Sequence, residues 1–222
     1  MTGGHATTAG IKFQCEVGAW FGAHILSERA PLGLHGSLPV ALKLEVLSPV
    51  DDIVVFTQDD ANWYINVKAE VPVSSLSNSR FSMVIDQFVR QVLDGVDVGT
   101  SKGSPRKWNN DLDRLVLAVR AGGSAPLIDG LSPVIQRLAD GATRFQMDLL
   151  TNEKEKTAFN AFYAQANYHW TRHAGTKPTE TEILNLLACV RLLEIDTVGA
   201  GSSGGDKHAG VDGRLGTRFE GI

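Results

Sequence analysis

The chain has few cysteines, no long apolar run and no excess of positive charge, and each shortage argues against a class of protein. Its 222 residues include two cysteines, Cys15 and Cys189, whose spacing does not suit zinc, so we expect two buried free thiols. No stretch approaches the ~20 consecutive apolar residues of a membrane span, and the polar N-terminus does not resemble a signal peptide. A net charge of −4 argues against a broadly basic nucleic-acid coat protein, although it permits a local positive groove. We therefore expect a cytoplasmic protein without a membrane partner.

Two common catalytic motifs are also missing. There is no Gly-x-Ser-x-Gly element and no plausible Ser/His/Asp set. Glycine dominates residues 199–216, but Asp206 separates Gly205 from Lys207, so the stretch does not match a phosphate-binding loop. We interpret residues 199–222 as a flexible loop or a linker into a further domain, and residues 1–198 as one domain.

Hydrophobic periodicity indicates an α/β protein. We predict a loose lead-in over residues 1–9, helices over 10–28, 79–95, 127–138, 153–173 and 180–187, and strands over 40–47, 52–57, 62–69, 115–119 and 190–195. This order predicts a central mixed β-sheet flanked by helices. The motifs that suggest chemistry lie within residues 10–70, and residues 79–196 complete the fold.

The main candidate for chemistry is an acidic pair on one strand and a lysine on the next. Asp51 and Asp52 open an apolar strand, and Asn66 precedes Lys68 by two positions, which places Asn66 and Lys68 on one sheet face. Antiparallel pairing brings the start of the first strand beside the end of the second. A carboxylate that holds a divalent cation and an ammonium that orients water are what metal-dependent phosphodiester cleavage needs. Taken singly, the acidic pair could form a turn and Lys68 could be a solvated edge residue.

The first helix supplies two more polar groups, Gln14 and Glu16, at the edges of its apolar stripe. Glu16 has the chemistry of a metal ligand, and Gln14 suits an orienting hydrogen bond. Either could instead be an ordinary boundary residue. Glu45 could face the cleft or solvent, and we favour solvent.

Two other groups are weaker candidates. His169 and His173 lie four residues apart on a predicted helix, a spacing that could ligate zinc, but no glutamate lies between them and we favour surface or packing roles. Lys102, Arg106 and Lys107 form a small basic loop next to a tryptophan. Such a loop could contact nucleic acid or could simply be solvated.

Four motifs resemble the PD-(D/E)xK, or restriction-endonuclease-like, nuclease superfamily, and more narrowly the Cap4-type double-stranded DNA nuclease domains of bacterial anti-phage effectors. They are residues 9–14, which open a helix continuing through 17–21, then 50–55, 64–68 and 113–118. The first third of the chain carries the specific motifs, and residues 80–195 match only in the order of elements.

The resemblance implies a restriction-endonuclease-like core and a Mg²⁺-dependent endonuclease, with Mn²⁺ as a possible substitute, that acts on double-stranded DNA. Asp52, with Asp51 as the alternate, Asn66 and the Val67 carbonyl would hold the metal. Lys68 would position the water, and Gln14 or Glu16 would support the site. Asn66 departs from the family's usual Glu or Gln, so an inactive DNA- or partner-binding module is the alternative. The family also implies a homo-oligomer, or fusion to or association with a sensor or NTPase module.

Overall fold

The structure, a computed structural model, describes residues 3–34, 37–96, 106–139, 150 and 152–196, with side chains from residue 8 onward. This part of the chain contains α1 (Gly3–Leu26), β1 (Pro39–Leu44), β2 (Ile53–Thr57), β3 (Asn62–Val67), α2 (Arg80–Asp94), β4 (Arg114–Arg120), α3 (Ala125–Ala139), α4 (Glu153–Ala174), α5 (Glu180–Cys189) and β5 (Val190–Ile195). Lys102 and the glycine-rich residues 199–222 lie outside the described residues, so what we predict for them stays a prediction. Among the described helices, none combines the length and apolar character that crossing a membrane requires.

The strands form one five-stranded sheet in the order β1-β2-β3-β4-β5. The β1–β2 and β2–β3 pairs are antiparallel, whereas the β3–β4 and β4–β5 pairs are parallel. Parallel neighbours need long crossovers, and α2 and then α3 to α5 provide them. The predicted class, a central mixed sheet flanked by helices, is confirmed.

The central strand β3 is buried along its whole length because helices cover both faces of the sheet. Trp63, Ile65 and Val67 pack in the core beneath α1. Tyr64 packs in the larger core beneath the other helices. Strand alternation therefore directs the polar side chain of Asn66, which is fully buried, toward the α2 side of the sheet.

The two ends of α2 follow from local sequence signals. Ser79 is the N-cap, and its side chain accepts a hydrogen bond from the Ser82 N–H at 3.1 Å. Gly95 ends the helix with a φ of 81°, and a Cβ there would lie 2.7 Å from the Arg106 carbonyl oxygen. Glycine is therefore needed both for the backbone angle and for the close approach of the loop that contains Arg106.

Three predicted boundaries in the first third of the chain are wrong. The strand predicted over 62–69 ends at Val67, so Lys68 lies just beyond it. Helix α1 begins at Gly3, so most of the predicted lead-in over residues 1–9 is helical. Strand β1 ends at Leu44 rather than at residue 47, because Glu45 takes a left-handed backbone angle (φ 50°) that ends the extended conformation.

The prediction of two buried thiols is correct for only one of them. Cys189 is buried, whereas Cys15 is exposed. Phe13 and Val17 turn their side chains into the core beneath α1, and Cys15, midway between them in sequence, lies on the opposite side of the helix. An apolar run on an amphipathic helix thus does not bury every small residue within it.

Candidate active site

Asp52 and Lys68 meet at the open end of the β2–β3 hairpin. The register Ile53↔Ile65 places Asp52 directly across from Asn66, so Lys68 follows immediately beyond the strand end. Asp52 Oδ2 accepts a hydrogen bond from Lys68 Nζ at 3.0 Å and another from the Val67 N–H at 2.7 Å. The predicted proximity of the acid and the lysine is therefore confirmed, while their catalytic roles stay predictions.

The Lys68 ammonium is fixed by two acceptors and remains accessible. It donates to the Val67 carbonyl oxygen at 3.0 Å as well as to Asp52, and 33% of its side chain is exposed. An ammonium has three N–H donors, so one is left over for a water molecule or a phosphate oxygen. The geometry holds a positive charge beside a carboxylate at a surface that solvent can reach.

Asn66 is linked to α2 rather than to Asp52. Its Nδ2 donates to Gln87 Oε1 at 2.5 Å, and Gln87 Nε2 in turn donates to Asp51 Oδ1 at 3.3 Å. Within the part of the chain that the structure describes, the buried Asn66 Oδ1 has no hydrogen-bond partner. A buried acceptor without a partner costs roughly 1–3 kcal/mol, so any donor or cation that reached this oxygen would be stabilised there.

The two candidate residues of α1 have different environments. Gln14 Nε2 donates to the Asp52 carbonyl oxygen at 3.0 Å and to Glu45 Oε1 at 2.6 Å, so Gln14 supports the backbone of the acid. The Glu16 carboxylate instead pairs with Lys12 at 3.8 Å and with Arg120 at 3.6 Å. Arg120 also lies over the Phe13 ring, which is part of the core beneath α1. Of the two candidates, Gln14 is the one whose side chain contacts Asp52, and a role for Glu16 at the site stays a prediction.

The Asp52–Lys68 pair opens into a cleft of about 620 Å³ between the sheet end and the facing sides of α2 and α4. Charged residues dominate its lining, with four cations (Lys68, Arg80, Arg90 and Arg172) and three carboxylates (Asp51, Asp52 and Asp86). Two of these cations are ion-paired with carboxylates of the same cleft, Lys68 with Asp52 and Arg90 with Asp86, so the cleft is close to neutral although the whole chain has a net negative charge.

Sequence reasoning missed a cluster on the helical side of this cleft. Asp86 of α2 lies between two histidines of α4: its Oδ1 is 2.9 Å from His169 Nδ1 and 2.7 Å from His173 Nε2. Burial alone would raise the pKa of Asp86, but the hydrogen bond from His173 and the charges of His169 and Arg90 lower it below its ordinary value. Burial lowers the pKa of His169 despite the neighbouring Asp86. The spacing of the histidines was visible in the sequence, but their acidic partner on a separate helix was not.

The arginine of the basic loop forms an ion pair within the protein. Arg106 makes two 2.6 Å hydrogen bonds to the carboxylate of Asp113, which is fully buried. These hydrogen bonds raise the pKa of Arg106 above its ordinary value. Lys107 is exposed, and Trp108 packs near the Tyr64 ring at 6.0 Å. The guanidinium therefore neutralises a buried acid, and contact of Arg106 and Lys107 with nucleic acid stays a prediction.

Comparison of the chain with protein-family models, with curated proteins and with solved structures found no match. The geometry of the cleft and its charged residues is thus the basis on which a function can be assigned.

Proposed function

We propose that this chain is a metal-dependent endonuclease domain that hydrolyses phosphodiester bonds of double-stranded DNA. The observation that carries the proposal is the 3.0 Å contact between Asp52 and Lys68 at the edge of a cleft lined by three arginines. Carboxylate, ammonium and surrounding guanidinium groups are the side chains that this chemistry uses. On the family resemblance we further propose a role as an effector of bacterial anti-phage defence, acting as a homo-oligomer or with a sensor or NTPase module.

The residues at the sheet end fit a hard divalent cation. Mg²⁺ prefers oxygen ligands, and it is usually bound through one or two carboxylates together with substrate oxygens and water. Asp52 would provide the carboxylate, and Asn66 Oδ1 is a buried oxygen without a hydrogen-bond partner among the described residues. The Val67 carbonyl would be a third oxygen, with Asp51 as an alternate carboxylate. When bound, Mg²⁺ or Mn²⁺ would supply Lewis-acid stabilisation of the charge on the phosphate.

Other side chains would position the water, support Asp52 and bind the DNA backbone. Lys68 holds a water molecule or a phosphate oxygen with its third N–H while its other two donors keep the ammonium in place. Gln14 fixes the Asp52 backbone from the far side of the sheet. Arg80 and Arg172 would provide positive charge for the DNA backbone, since phosphate contacts dominate such affinity, whereas Arg90 is bonded to Asp86 at 3.1 Å.

A plasmid-cleavage assay with Mg²⁺ or Mn²⁺ tests the proposal. We expect Lys68→Ala and Asp52→Ala each to slow cutting by about 100-fold or more, as the loss of a positioned proton-transfer or charge-stabilising group does. Lys156→Ala is the matched control, because Lys156 is also ion-paired (2.8 Å to Glu153) but lies at the opposite end of α4 from His169. Cutting at the wild-type rate in both site variants would refute this active site.

Asn66 favours one alternative, a module of the same fold that binds DNA or a partner without cleaving. An amide at this position contributes no negative charge to a metal, and its Nδ2 is engaged with Gln87. Calorimetric titration with Mn²⁺ separates the two functions. If the site is active, the wild type should bind Mn²⁺ and the Asp52→Ala variant should not. If the chain is a binding module, the heat of Mn²⁺ titration should be the same in both proteins, and both should still shift DNA in a gel.

A further inference from the structure

We propose that Asp86, His169 and His173 form a zinc site that is separate from the Asp52 site and lies on the helical side of the same cleft. One carboxylate oxygen and one nitrogen from each imidazole all lie within 4.8 Å of one another. The histidines are four residues apart on α4, so both project from one face of that helix toward Asp86 on α2. This inference does not depend on the nuclease proposal.

One tautomer of His169 that fits its contacts makes Nδ1 available as a metal ligand. The Ser82 hydroxyl has one proton and lies 2.8 Å from each of three groups: the Ser77 carbonyl, Gln165 Oε1 and His169 Nε2. Because both carbonyl oxygens only accept, one proton arrangement lets Ser82 donate to an oxygen while His169 Nε2 donates its own proton to Ser82 Oγ. In a neutral imidazole with Nε2 protonated, Nδ1 carries a lone pair.

That lone pair lies against a carboxylate oxygen in an almost fully buried position. Only 4% of the His169 side chain is exposed, and Nδ1 is 2.9 Å from Asp86 Oδ1. Despite this short distance, His169 Nδ1 makes no hydrogen bond to any of the described residues. With Nε2 carrying the proton, Nδ1 and the carboxylate are two acceptors in contact, and a cation that both bind would stabilise them.

The ligand set selects a transition ion over Mg²⁺. Two imidazole nitrogens and one carboxylate oxygen, with a fourth position left open, are a common zinc arrangement, whereas Mg²⁺ prefers oxygen alone. Ligand atoms sit about 2.0–2.2 Å from zinc, so the present 2.7 and 2.9 Å separations would widen by about half an ångström. Asp86 and His173 are 22% and 26% exposed, which leaves them room to make this adjustment.

The surroundings of His169 also match what a zinc ligand needs. A metal-bound histidine normally donates its other ring N–H to an oxygen, which fixes the tautomer and the ring orientation. Ser82 Oγ fills that role, and it is itself held by the Ser77 carbonyl and Gln165. The packing of α2 against α4 therefore already holds the His169 ring in a fixed orientation beside Asp86.

Titration with Zn²⁺ tests this inference. The full chain is used without a tag after treatment with a chelator, and a chromogenic zinc indicator serves as the competitor. We expect one equivalent to bind and His173→Ala and Asp86→Asn to weaken the affinity at least tenfold. Ser82→Ala should weaken it about 10–100-fold, as loss of a supporting hydrogen bond does. Co²⁺ in place of Zn²⁺ should give visible absorption bands that disappear in His173→Ala.

Two controls make the result specific. His24→Ala removes a histidine of α1 that contacts Trp20 and the Arg29 carbonyl, and it should leave zinc affinity unchanged. Asp52→Ala should likewise keep the zinc equivalent. The inference is overturned if the wild type binds no zinc, if His173→Ala and Asp86→Asn bind as wild type, or if Asp52→Ala alone abolishes binding. A chain that cuts DNA with Mg²⁺ yet binds no zinc would refute this site only, and a chain that binds zinc yet never cuts would refute the nuclease only.

Discussion

Replacing Arg106 by alanine should destabilise the protein rather than weaken a ligand contact. The guanidinium makes two hydrogen bonds to Asp113, whose side chain is completely buried. The variant would leave that carboxylate without its counter-charge. Asp113 would keep two backbone donors, the Asn62 N–H at 3.0 Å and the Asn109 N–H at 2.9 Å.

The expected loss follows from this geometry. Removing one partner of a buried ion pair typically costs about 3–5 kcal/mol, because the other charge stays buried. Arg106 is 34% exposed, so water can enter the vacated space, and the two remaining N–H donors still stabilise the carboxylate. We therefore expect a decrease of about 2–3 kcal/mol in the free energy of unfolding. For a chain of this size that corresponds to a melting temperature lower by roughly 4–12 °C.

Urea denaturation followed by circular dichroism measures this loss, with Lys107→Ala as the neighbouring control. Lys107 is exposed, so its variant should unfold within about 0.5 kcal/mol of the wild type. Fluorescence anisotropy with a labelled DNA duplex, at a temperature where both variants are folded, supplies the second readout. The reasoning fails if Arg106→Ala is as stable as Lys107→Ala and loses DNA affinity instead.

Two further predictions concern buried groups. Cys15 should react with Ellman's reagent at once in the native protein, whereas Cys189 should react only after unfolding, because burial shields its thiol and raises its pKa. Simultaneous fast reaction of both thiols would contradict this. Asn66→Asp should lower the free energy of unfolding by several kcal/mol in EDTA, since it buries a carboxylate, and added Mg²⁺ should restore part of the loss. Equal stability with and without Mg²⁺ would show that no cation reaches this position.

The convergence of Asp52 and Lys68 could be predicted because it depends on local structure. Only four residues, 58–61, connect β2 to β3, so the hairpin has few possible registers. Alternation then fixes which side chains share a face. The same logic placed Gln14 and Glu16 at the edges of the helix stripe, but the pattern could not tell which edge lies over the hairpin end.

The contacts that the sequence did not reveal depend on helix packing or on burial. Asp86 and His169 are 83 residues apart, and their contact depends on how α2 packs against α4. Arg106 and Asp113 are close in the chain, yet a polar loop reads as solvated until the burial of one carboxylate is known. Helix packing and side-chain burial are properties of the assembled core, so the spacing of residues in the sequence does not determine them.

The Val67 N–H donates a hydrogen bond to the Asp52 carboxylate, so the site forms only when β2 and β3 pair in the correct register. A shift of one residue between β2 and β3 would turn Asp52 toward α1 and leave Lys68 without its acid. By contrast, Arg80 and Arg172 are exposed side chains of α2 and α4, so we expect their exchange to leave that alignment intact. A family of such domains could thus diversify its cleft through the helices while the hairpin stays fixed.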